Sequence, residues 1–225
     1  MRALPLVVIA SVMSLAGAAR ADGKFHPVPG GRLELRVVSY DGEVHGDLTV
    51  EVRNPSSKVA RFTARGLYFV PDGDPDQAPQ RLGAVGPMEI AERRDDEVRV
   101  PAGGKVVVKL DVFCVDDHRS APTSETAFSL ARHRMPAQLT RTIDREARAA
   151  AKPAGGFGSE DALEPVQAEV WKARDAKWVK LDGEGAQETE KASGRHERRD
   201  VRDQHDGRIL REQREEHPAL ELMEE

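Results

Sequence analysis

Between Arg32 and Val115 the chain repeats with a period of two, and no other feature limits its fold as tightly. Leu33-Glu34-Leu35-Arg36-Val37 alternates apolar with polar residues, as does Leu48-Thr49-Val50-Glu51-Val52-Arg53. Successive side chains of an extended chain point to opposite faces, so the pattern puts Leu and Val on one side and charge on the other. Asn54-Pro55-Ser56-Ser57 marks a turn, and Val59 to Val70 resumes the extended pattern around Gly66. Lys105 to Val115 (KVVVKLDVFCV), introduced by Pro101-Ala102-Gly103-Gly104, is the strongest strand. Short strands separated by turns at this spacing predict a mainly β fold: an immunoglobulin-like antiparallel β-sandwich over residues 22–121.

The character changes after Pro122. Thr126–Arg134 and Ala137–Lys152 have the composition of helix, with Pro136 forcing a break between them. Pro153 to Ser159 (PAGGFGS) reads as a flexible link; it lacks the Lys and glycine positions of a phosphate loop and those of a nucleophile elbow. Pro165 suits the first position of a helix carrying Gln167, Val170, Trp171 and Ala173. Val170, Trp171 and Trp178 offer apolar contacts to the sheet, so residues 122–181 are expected to be a helical extension packed on the sandwich. Residues 182–225 mix Glu, Arg, Asp, Gln and His, interrupted mainly by Ile209-Leu210 and Leu220 to Met223. So little apolar surface does not offset the entropy of ordering, which predicts a charged, largely disordered tail with some helix.

Met1-Arg2, the apolar run Leu4–Leu15 and the small-x-small site Ala19-Arg20-Ala21 have the three-part form of a secretory signal peptide over residues 1–21. Cleavage near Ala21 would leave a periplasmic or secreted chain. The run is shorter than the roughly 20 apolar residues of a membrane span, and no second run follows, so no transmembrane segment is expected in the mature chain. The formal net charge of −5 comes from interspersed signs, which gives no reason to expect nucleic-acid binding. No motif implies a cofactor.

Export makes Cys114, the only cysteine, a pointed question, because one cysteine forms no internal disulfide. Its fates are a buried thiol in the last core strand, a bond to another chain, or chemistry. If the strand continues past it, Cys114, Asp116 and His118 share a face, so His118 is a candidate base for a thiolate. The same three could supply metal ligands, without a visible fourth. Asp72, Asp74 and Asp76, at alternate positions, resemble a calcium loop, but Gln77 stands where the sharp-turn Gly belongs and Gly83 where the bidentate Glu belongs. A plain polar turn is the competing reading. His26, His45, His133, His196, His205 and His217 form no pair at metal-ligand spacing.

Val112-Phe113-Cys114-Val115, followed some fifty residues later by Gln167-Ala168-Glu169-Val170-Trp171, resembles bacterial β-rich domains of uncharacterised activity. These are associated with ADP-ribosylglycohydrolase and rhodanese-phosphatase proteins. The resemblance spans about residues 30–180 and departs where Asp116-Asp117-His118-Arg119 replaces Glu-Gln-Gly-Arg-Trp. The same two segments also resemble thioester domains of bacterial surface adhesins, which implies a bond between the Cys114 thiol and the Gln167 side-chain amide. Here Val166 replaces a Thr, and the separation is short. Without that bond, Gln167 is expected to be solvated or to cap its helix. Two functions follow as expectations. One is an exported, non-catalytic binder of a protein or envelope component; the alternative is covalent chemistry at Cys114, as a thioester with Gln167 or a thiol enzyme using His118. A third reading gives the binding role to the charged tail.

Overall fold

The computed structural model describes residues 23–91, 93–154, 160–176 and 180–185. Strands form where the alternation lies: β1 (His26–Pro27), β2 (Glu34–Tyr40), β3 (Asp47–Arg53), β4 (Ala60–Phe62) and β5 (Tyr68–Pro71). They continue with β6 (Leu82–Ile90), β7 (Arg93–Asp95), β8 (Val98–Val100), β9 (Lys105–Cys114) and β10 (Phe128–Leu130). Among the described residues two helices follow, α1 (Ala137–Ala154) and α2 (Glu160–Ala176).

Eight strands join in one antiparallel sheet of order β1-β2-β3-β9-β6-β5-β10, with β7 paired to β6, while β4 and β8 form a separate two-stranded ribbon. β9 is the central strand, in register with β3 from Asp47↔Asp111 to Arg53↔Lys105 and with β6 from Leu82↔Cys114. The sheet curls until β10 meets β2. There the rings of Tyr40 and Phe128 stand edge to face, centroids 5.4 Å apart, a geometry that aromatic quadrupoles favour. The fold is therefore mainly β and nearly barrel-like. The strand order does not separate into the two facing sheets expected of an immunoglobulin-type sandwich.

Alternation along β9 divides the protein into two cores. Val108, Leu110, Val112 and Cys114 enter the interior of the curl with Leu48, Val50, Leu82 and Met88. On the outer face, Lys105 pairs with the largely covered Glu51 (2.8 Å) and Lys109 with the more exposed Asp47 (2.9 Å). Farther along, the same outer face turns apolar, and Phe113 and Val115 join Tyr68 and Val85 beneath the helices. α1 covers them with Leu139, Ile143 and Ala147, spaced four apart on one stripe, and α2 with Val166 and Val170. Burying each such side chain contributes about 1.5–3 kcal/mol.

Several expectations need correction. Phe128–Leu130, inside the stretch of helical composition Thr126–Arg134, is strand β10, held by β5 through Ser129↔Val70. The sheet therefore runs past residue 121. α2 begins at Glu160, so Pro165 lies inside the helix rather than at its first position. Asp182–Gly185, placed in the disordered tail, belong to the ordered structure. Pro153 and Ala154, the start of the flexible link expected over Pro153–Ser159, are the last residues of α1. The signal peptide, the rest of that link (155–159), Trp178 and residues 186–225 lie outside the described residues.

Gly83 sits where α1 crosses the sheet. A Cβ there would meet Ile143 Cδ1, Met135 Sδ and Val115 Cγ1, each at 3.0 Å. Gly83→Ala is expected to lower unfolding free energy by about 1–3 kcal/mol in urea titrations. Gly31→Ala, whose nearest contact is 3.7 Å, should fall within about 0.5 kcal/mol of the parent.

Candidate functional site

The end of the β6–β9 pair gathers a cluster of buried polar side chains, Gln80, Arg81, Asp116, Gln167 and Arg174. Arg81 precedes β6 and Asp116 follows β9, so the register of the two strands sets them side by side. Arg81 Nε and Nη2 each donate to the Asp116 carboxylate at 2.6 Å, and the Arg81 amide donates a third bond at 3.2 Å. Both side chains are 0% exposed. This fork on a carboxylate is the geometry in which a buried guanidinium best offsets its lost hydration.

α2 supplies the next layer from one face. Gln167, Val170, Trp171 and Arg174 are spaced i, i+3, i+4 and i+7, and each touches the sheet end. Gln167 Nε2 donates to the Cys114 carbonyl (2.6 Å), and the Cys114 amide donates to Gln167 Oε1 (3.0 Å). The carboxamide thus serves as a one-residue strand partner. Trp171 Nε1 donates to Gln80 Oε1 at 3.1 Å. Arg174 Nε lies 3.5 Å from Asp116 Oδ1, and its Nη2 lies 3.1 Å from Glu184 Oε1. Two guanidinium groups and two carboxylates, each nearly or fully buried, therefore balance in charge.

Residues 180–185 close the site as a strap. The Asp182 amide donates to the Tyr68 hydroxyl (2.7 Å), and Arg81 Nη1 donates to the Asp182 carbonyl (3.2 Å). The Asp182 carboxylate accepts the backbone amides of Arg132 (2.7 Å) and His133 (3.1 Å) and meets His133 Nδ1 at 3.0 Å. Burial pushes this carboxyl up, but the bonds from His133, Arg132 and Tyr68 outweigh it and hold it below the usual range. Glu184 Oε1 also accepts the Leu181 amide (2.7 Å). Beside the strap runs an open groove of about 640 Å3 that carries both signs of charge, from Arg132, His133, Lys180 and Asp182.

The residues singled out from sequence fall apart into different roles. Cys114 is 0% exposed in the inner core, and burial, aided by the Asp116 charge, pushes its thiol up to about 12. The strand ends at Cys114, so Asp116 and His118 leave its face: Asp116 turns to Arg81, and His118 lies 3.4 Å from Asp117. Gln167, expected to be solvated or capping, is buried against Cys114, though through that residue's main chain. Asp72 accepts from Ser129 Oγ (2.7 Å), and Asp74 closes its own turn on the Asp76 amide (3.1 Å). Among the described residues no cluster of His, Cys, Asp or Glu has the spacing to hold a metal ion. Arg81, Arg174 and Glu184 escaped the sequence reading. Arg174 had a signal, its i+7 spacing from Gln167; Arg81 and Glu184 had none.

Compared with known proteins, the chain matches no protein-family model, and neither a curated protein nor a solved structure shows significant similarity to it.

Two outcomes follow from the buried groups. Asp116→Ala strips the Arg81 guanidinium of its carboxylate, leaves Arg174 with Glu184 alone, and is expected to cost about 3–5 kcal/mol in denaturant titration, far more than the same change at an exposed carboxylate such as Asp95. Burial raises both tyrosines, Tyr68 to about 12 and Tyr40 further. A folded pKa above the unfolded one gives stability that is complete below the unfolded value and lost as pH rises toward the folded one. The chain should therefore lose stability from about pH 9, where an unfolded thiol ionises, toward pH 12. Tyrosinate absorbance should rise together with unfolding, not as a separate step near pH 10.

Proposed function

We propose that this chain is an exported, non-catalytic β-domain that binds a protein or an envelope component, in the periplasm or outside the cell. The observation that carries the reading is the use made of its reactive side chains. The one thiol is sealed in the core with a raised pKa, and its neighbour Asp116 is spent on Arg81 and Arg174. These groups stabilise the fold, while the open concave surfaces lie beside loops and strand edges, where recognition is commonly built. Export rests on the three-part N-terminal sequence. No helix among the described residues is long and apolar enough to cross a membrane.

Covalent chemistry at Cys114 is the second reading. It is favoured by one contact, the Gln167 carboxamide lying on the Cys114 main chain. A thioester would form by attack of Sγ on the amide carbon with release of ammonia, and the resemblance to adhesin thioester domains points the same way.

Both readings meet in one experiment on the chain beginning near Asp22. Intact mass should equal that of the unmodified sequence, and Ellman's reagent should react with the native thiol only at the rate of unfolding. Labelled protein should also bind an envelope fraction saturably and be displaced by unlabelled protein. A mass short by one ammonia, or a fast native thiol reaction without saturable binding, would replace the binding reading with the covalent one.

A further inference from the structure

Among the described residues the β4–β8 ribbon pairs only with itself, which leaves β4 an open edge. Along that edge runs a second groove of about 400 Å3, with residues 58–63 as one wall and the β1–β2 turn, Val28 to Leu33, as the other. The turn is pinned by the Val28 amide on the Leu33 carbonyl (2.8 Å) and the Gly31 amide on the Val28 carbonyl (3.1 Å). Strands lie about 4.8 Å apart, rise about 3.3 Å per residue and occupy a layer about 10 Å thick, or about 160 Å3 per residue. The groove therefore holds two to three residues of extended chain, the length of β4 itself.

The charge of this groove is one-sided. Arg32, Lys58, Arg61 and Arg134 line it, and none of the described residues lining it is Asp or Glu. Arg134 donates to the carbonyls of Pro29 (3.3 Å) and Arg65, which braces it across the groove. Among the described residues neither Arg32 nor Lys58 is paired with a carboxylate. Arg61 lies 3.3 Å from Glu97 in solvent, a contact of small value. Arg61 also stands directly opposite Arg99 in the ribbon, and like charges facing each other across two strands destabilise the pair. An anion beside them relieves that repulsion. Buried Leu33 and Phe62 form the groove's apolar base, and Val59, 63% exposed, offers an aliphatic contact at the rim.

We infer that the open edge of β4 binds an acidic, extended peptide segment of a partner protein, which adds as a third strand to the β4–β8 ribbon. Main-chain bonds to β4 hold the segment, Arg32, Lys58, Arg61 and Arg134 take its carboxylates, and Val59 takes an intervening apolar side chain. This names the partner class for the binding reading above and rests on it.

The test is a titration of the isotope-labelled chain with acetyl-Glu-Val-Glu-Val-Glu-amide, followed by amide NMR. Saturable shifts are expected at residues 30–32 and 58–63, with slowed hydrogen exchange for at least one amide between Val59 and Thr63. Added salt should weaken binding. Arg32→Ala and Lys58→Ala, both exposed, should each weaken it about threefold and together about tenfold, with an unchanged melting midpoint. Acetyl-Lys-Val-Lys-Val-Lys-amide should not bind. Four results would overturn the inference: no saturable shift up to about 5 mM peptide, equal binding by the double variant, unchanged exchange at β4, or the same shifts from inorganic phosphate or phosphatidylglycerol vesicles alone. Saturable envelope binding that the double variant retains would remove this site and leave the binding reading standing. Absence of both would remove both.

Discussion

The Arg81–Asp116 pair is the interaction on which the rest of the structure leans. Two fully buried charges are tolerated only when the geometry is close and the remaining donors find partners. Asp116 takes two side-chain donors and one amide from Arg81, and Arg81 gives its remaining nitrogen to the Asp182 carbonyl. That requirement reaches into three separate parts of the chain. It clamps the end of the β6–β9 pair, draws Arg174 and hence α2 onto the sheet end, and holds the 180–185 strap in place. The sheet could curl without it, but the helices and strap would lose their common anchor.

The same arrangement explains the fate of Cys114. Its side chain continues the inward series Val108, Leu110, Val112, while its main chain is the last of β9 and faces the side where β3 begins only at Asp47, so it needs another partner there. Val44 and Gln167 provide it. A carboxamide presents an N–H donor and a C=O acceptor side by side, as a peptide edge does, so Gln167 extends the ladder beyond the described strands. Proximity in space between Cys114 and Gln167 thus has a structural cause that needs no bond between sulfur and amide.

Much of the fold was legible in the residues. The alternation at 33–37, 48–53 and 105–115 became β2, β3 and β9, and Pro136 did precede α1. β6 was not singled out, because Gly83, Gly86 and Pro87 interrupt its pattern at a bulge between Ala84 and Met88. β10 was read as helix because Thr126–Arg134 has helical composition, and pairing with β5 overrides that preference. The candidate site was half legible. Gln167, Trp171 and Cys114 were named from sequence, but Asp116 was assigned to the wrong partners, since nothing local marks Arg81 as its counter-ion.

By itself, then, the sequence determined the period-two pattern and with it a β protein whose central strand ends in a lone, core-facing cysteine. Hydrophobic patterning is local and survives in any register-consistent sheet. Only the tertiary structure decided whether the strands would face each other as two sheets or curl as one, and which charges would be buried together. Those outcomes depend on pairing residues 35 to 114 positions apart, such as Arg81 with Asp116 and Tyr68 with Asp182, and no spacing rule along the chain encodes such contacts. The basic groove is of the same kind: Arg32, Lys58, Arg61 and Arg134 are ordinary charges in sequence, and the fold brings them to one strand edge.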